Sequence, residues 1–209
     1  MSASRDSFPS TLQETLAQAV VHHQNGRLAE ARPLYERVLR QVPEQSDALH
    51  LLGLLTAQAG DPEFGIALIR KAVAKDGAQP VFRLNLGRVL EAAGRWAEAA
   101  DAYGHAARLA PLVPDHHRLE AAAHAKLGRA AAAARAFRRL LALAPEDGEA
   151  ANALADTLYD LARPLYARVL RQVPEQSDAL HLLGLLTAQA GDPEFGIALI
   201  RKAVAKDGA

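Results

Sequence analysis

ARPLYERVLRQVPEQSDALHLLGLLTAQAGDPEFGIALIRKAVAKDGA, residues 31–78, occurs twice in this chain. It returns at 162–209 with one difference, Glu36 becoming Ala167. Forty-eight residues do not converge to that degree, so the segment is a copy, made by duplication or by construction. Within it lie two helix-length amphipathic runs separated by Gly60, with a Pro or Gly at the ends. Apolar residues recur there at three-and-four spacing, the period of a helix with one buried face.

Outward from this stretch a ruler emerges. Gly26, Gly60, Gly94 and Gly128 stand 34 residues apart, and Pro43, Pro111 and Pro145 follow the same period with Gly77 at the second station. Each Gly is free to take positive φ and close a first helix, and each Pro ends a second one because its ring cannot continue the hydrogen-bond ladder. Such paired helices have no interior of their own and bury their apolar faces only by stacking on neighbours.

These positions resemble the tetratricopeptide repeat family, in units 12–45, 46–79, 80–113 and 114–147, a damaged fifth at 148–176 and a sixth at 177–209. The family's small residue, where the two helices of a unit meet, is matched by Ala19, Gly53, Gly87, Ala121, Ala155 and Gly184. Its second close-approach position holds Ala31, Gly65, Ala99, Ala133, Ala162 and Gly196, and the bulky knob that follows is Tyr35, Ile69, Tyr103, Phe137, Tyr166 and Ile200. The resemblance implies an all-α, right-handed superhelical solenoid. Departures are His117 and His124 in the fourth unit and Leu49 and Thr56 in the second, where bulky aromatics are usual. More narrowly, SDALHLLGLL and RLNLGRVL look like repeats that precede catalytic domains in bacterial glycosyltransferase and sulfotransferase chains.

The fifth unit lacks the five residues equivalent to Gly26–Glu30, so its first helix (EAANALADTLYDL) runs directly into its second (ARPLYARVLRQV). The apolar pattern carries across the junction and favours one merged helix, kinked at Pro164. The alternative is a break near Arg163–Pro164, since Pro inside a helix costs about 3 kcal/mol. In a merged helix the two halves cannot fold back on each other, and both keep apolar faces uncovered. The copy also reaches Ala209 with no polar capping helix. We therefore expect a homo-oligomer, including a domain-swapped dimer formed by exchange of 162–209.

Composition restricts the chemistry. Lys+Arg and Asp+Glu balance at 24 each, which removes the positive field that nucleic-acid or anionic-membrane binding needs. With no Cys, disulfides and thiolate metal sites are excluded. Residues 1–11 read as a disordered leader without the apolar core of a signal peptide, ending on a capping box at Thr11–Glu14. No apolar run approaches the ~20 residues of a membrane span, so a cytoplasmic protein is expected. The His pairs 22–23 and 116–117 diverge around a helix, and His117 and His124 lie about 10 Å apart along one, so none chelates a metal. Ser46 and Ser177 start helices and read as caps, and RAFRR at 135–139 reads as a solvated face around Phe137. No catalytic motif, cofactor or metal site is expected.

What remains is the inner groove of the solenoid. By the family pattern it is lined by Gln13, His23 and Gln24, then Asp47, His50 and Gln58, then Asn85, Arg88 and Glu91. Asp115, Arg118 and Lys126 follow, and last Asn152, Asp156 and Tyr159. The carboxylate clamp of some members needs Lys and Asn at five positions. Here Leu16, Val20, Leu51 and Val81 occupy four and only Asn85 survives. The resemblance thus implies a protein–protein interaction scaffold binding a protein, peptide or helix. The alternatives are an accessory, substrate-recruiting fragment of a glycosyltransferase or sulfotransferase system, and an engineered or recombined array whose property is assembly.

Overall fold

A computed structural model of the chain describes residues 10–207. Among them are eleven α-helices and no strand. The chain divides after Leu127 into two compact units.

The first contains α1 (Ser10–Gln24), α2 (Leu28–Gln41), α3 (Ser46–Gln58), α4 (Pro62–Lys75), α5 (Pro80–Ala92), α6 (Trp96–Leu109) and α7 (Pro114–Lys126). They form three antiparallel hairpins, α1–α2, α3–α4 and α5–α6, with α7 packed on α6. The turn glycines do what their chemistry allows: Gly26, Gly60 and Gly94 have φ of 71°, 100° and 74°. At the first of these turns the Arg27 N–H donates to the His22 carbonyl at 2.9 Å, closing α1. Asp61 caps α4 through a bond from the Phe64 N–H at 3.0 Å, and Pro62 occupies the first helical position, where no N–H is missed.

The core of this unit threads the hairpins. Ala19, Ala31, Tyr35, Leu49, Leu52, Leu55, Leu68, Ala72 and Phe82 form one cluster, and Ile66, Ile69, Leu86, Leu90 and Tyr103 belong to the next. At the close-approach positions the backbones nearly touch. A Cβ on Gly53 would lie 2.8 Å from the Gly65 carbonyl oxygen, so only Gly fits without a shift.

The second unit contains α8 (Ala130–Leu143), α9 (Gly148–Gln172), α10 (Ser177–Gln189) and α11 (Pro193–Asp207), each packed on the one before. Here α9 is a single helix of 25 residues, about 37 Å long, with Pro164 inside it. Arg135, Arg138 and Arg139 are exposed around buried Phe137 on α8.

The two copies fold alike locally and differ in cover. Ile66 is 1% exposed and its counterpart Ile197 46%; Val38 is 0% exposed and Val169 38%. In the first unit α5 and α6 lie over Ile66, and Leu12 and Leu16 of α1 lie by Val38. In the second unit nothing among the described residues plays either part.

Three local expectations are corrected. The leader lies outside the described residues up to residue 9, while Ser10 and Thr11 are already helical. Thr11 is therefore no N-cap; its carbonyl accepts from the Thr15 hydroxyl at 2.7 Å. Nor do Ser46 and Ser177 cap their helices. That role falls to Gln45 and Gln176, whose extended backbone lets the side-chain oxygen accept from the N–H of Ala48 and Ala179. No helix among the described residues is long and apolar enough to cross a membrane.

Candidate functional site

The first helices of successive repeats, α1, α3 and α5, are joined by a ladder of polar side chains. His23 Nδ1 and the Tyr35 hydroxyl are hydrogen-bonded at 3.3 Å, and Gln58 Oε1 accepts from His23 Nε2–H at 3.2 Å. One helix on, Asn85 Nδ2 donates to His50 Nε2 at 3.0 Å, and the His50 ring tilts against Phe82 with centroids 4.5 Å apart. His50 is thus buried rather than presented on an open surface. Burial, helped by the nearby His23 charge, pulls its pKa down to about 4. The Tyr35 hydroxyl is pushed up to about 12 by burial.

Beside this ladder is a hollow of about 640 Å³ between α3 and α5, near the α3–α4 turn. Its walls are Leu54, Ala57, Val89 and Ala92, with Gly60 and Pro62 at the turn. Its polar groups are Gln58, Asn85 and Arg88, three residues that the groove pattern named. Apolar walls with a few convergent polar groups are the usual make-up of a binding site. The walls were missed because Leu54 and Val89 fit the core pattern. The available signal was their placement four residues before Gln58 and four after Asn85 on the same helices.

Other groove candidates are dispersed. Glu91 accepts from the Tyr103 hydroxyl at 2.5 Å, and burial followed by this bond raises the Tyr103 pKa. Asp47 accepts from the Gln45 amide at 3.3 Å, and Arg118 pairs with Asp115 on its own helix at 3.5 Å. Lys126 lies 5.8 Å from the Trp96 ring centroid, where it can make a cation–π contact. Gln13 and Gln24 are exposed on α1. In the second unit Asn152 and Asp156 are exposed on α9. Tyr159 stands between two hollows of about 610 and 330 Å³, with the Arg163 guanidinium 5.9 Å from its ring. Among the described residues no group of three or more His, Asp or Glu is placed to hold a metal.

A family model described as tetratricopeptide repeat matches residues 16–80, 57–114, 84–148 and 148–209. No curated protein matches the sequence. Among solved structures, MamA is 18% identical over 95% of this chain and 92% of its own, with a TM-score of 0.58. YrrB, described as a tetratricopeptide protein with an unusual peptide-binding site, is 20% identical over 83% of this chain and 92% of its own, at 0.53. Naa15/Naa10 bound to HypK-THB is 18% identical over 93% of this chain and 32% of its own, at 0.63. Identities this low speak for the fold alone.

Proposed function

This chain belongs to the tetratricopeptide repeat family, and on that footing we propose that it is a protein-interaction scaffold which binds a peptide or short helix on its first unit and self-associates through its C-terminal copy. The observation that carries peptide binding is the hollow between α3 and α5. It accepts one apolar side chain against Leu54, Ala57 and Val89, while Asn85 and Gln58 bond the ligand backbone and Arg88 attracts an acidic group. The ladder from Tyr35 to Asn85 holds the two helices in fixed register, so little of the protein need order on binding. Self-association is carried by the apolar residues that the copy leaves exposed.

Peptides selected from a random display library on the full chain test the first part. They should bind Arg88→Glu at least about tenfold more weakly, or ~1.4 kcal/mol, and show an acidic residue beside an apolar one. Failure to select any peptide, or equal binding to the variant, would remove the hollow as the site.

A further inference from the structure

We propose that two copies of this chain pair through α9, with residues 148–161 of each packed antiparallel on residues 162–172 of the other. The pairing rests on the self-association reading and names its partner and register. In an intact repeat the two small residues meet across a turn, as Ala19 and Ala31 do, both fully buried. The residues at those positions in the fifth repeat are Ala155 and Ala162, seven apart on one uninterrupted helix. That spacing sets them about 10 Å apart along the axis, where they cannot touch.

Each half of α9 therefore displays what the other lacks. Ala151, Ala155 and Leu158 are exposed on the first half, and Leu165, Val169 and Val173 beyond the junction. With Ala162 they lie within about 40° of one line along the helix. The buried residues of α9, Ala150 and Thr157, point about 110° away from it. Pairing on this stripe leaves the packing of α9 on α8 and α10 undisturbed. The first copy shows what belongs there: Val38 and Val42, identical to Val169 and Val173, pack against Leu12 and Leu16 of a first-type helix. The missing piece on 162–172 is such a helix. The first-type helix of this repeat is 148–161, which packs on α8 and has no second helix folded back on it across a turn. At the places of Leu12 and Leu16 it carries Gly148 and Asn152.

Setting Ala155 against Ala162 of the other copy fixes the rest. Ala151 then meets Tyr166, and the two-fold axis passes between Leu158 and Tyr159. The two-fold relation fills both gaps at once and closes the assembly as a dimer.

The chain contains no Cys, which makes the register directly measurable. Ala155→Cys and Ala162→Cys chains, mixed and oxidised, should give a disulfide-linked dimer, whereas neither alone should, because like residues lie about 10 Å apart. Inserting Gly-Arg-Leu-Ala-Glu between Leu161 and Ala162 restores the turn and should give a monomer that is folded by circular dichroism. Sedimentation of the unaltered chain at about 100 µM should show dimer. A monomer there would overturn the pairing and the self-association reading together. A dimer that survives the insertion, or links as well through one variant as through the mixture, would overturn the pairing alone.

Discussion

Ile66 and Ile197 occupy the same place in the same sequence, and truncating each measures what a neighbouring repeat contributes. Ile66→Ala removes three carbons from a side chain 1% exposed, between α4 and the cluster of Leu86, Val89, Leu90 and Ala99. At about 0.8 kcal/mol per buried carbon the transfer loss is ~2.4 kcal/mol, and the cavity left behind brings the total to ~3–4. Ile197 is 46% exposed, which roughly halves the transfer loss; water fills the space, so no cavity remains, and the better helix propensity of Ala returns a few tenths. The expected cost is ~1 kcal/mol or less. The only Trp, Trp96, is in α6 of the first unit, so its fluorescence in urea reports that unit while circular dichroism reports all helices. With a slope of ~2 kcal/mol/M, Ile66→Ala should lower the fluorescence midpoint by ~1.5 M. Ile197→Ala should leave that midpoint in place and shift only the circular dichroism, by ~0.5 M or less. Equal costs at the two sites would refute the reasoning, because they would mean that α11 is covered in solution as fully as α4.

Two further outcomes follow from the same geometry. His50 is held near pKa 4 by burial, below the ~6.5 of the unfolded chain, so its contribution is complete above pH 6.5 and is lost as pH falls towards 4. Stability should decline by roughly 3 kcal/mol across that window, and His50→Gln should flatten the slope measured by urea titration at successive pH values. Gly53→Ala and Gly184→Ala each place a Cβ within 2.8 Å of the facing glycine carbonyl, Gly65 and Gly196 respectively. Each should cost ~1–3 kcal/mol by overpacking, read as a loss of midpoint in its own unit, and the two costs should be alike because the hairpins are.

Much of this fold can be read from spacing alone. A glycine every 34 residues marks the turns because positive φ is cheap only there, and φ of 66° to 100° is what those glycines adopt. The loss of five residues before Ala162 and the unbroken apolar period across the junction favour the long helix over a break at Pro164, and the helix does run through that proline. Caps were less legible. Ser46 has the right chemistry, yet it already lies in α3, and the backbone at Gln45, with φ −68° and ψ 109°, is what lets a side chain reach the Ala48 N–H. The family pattern places His50 on the groove surface, and nothing in its own segment says otherwise. Its burial depends on Phe82 and Asn85, more than thirty residues away.

The repeated segment shows why that limit is physical. Its two copies share the caps at Gln45 and Gln176, the bonds from Asp61 and Asp192, and turn glycines at φ 100° and 95°. Everything decided within a hairpin comes out twice. Everything decided between hairpins does not: Tyr35 is fully buried and Tyr166 only half, Val38 is buried and Val169 is bare. Burial in a repeat protein belongs to a contact between neighbours, not to a segment, and hydrophobic stabilisation is counted only where that contact exists. A sequence with its turn removed therefore keeps its helices and loses its neighbour, and the apolar face that the first copy buries is left exposed in the second.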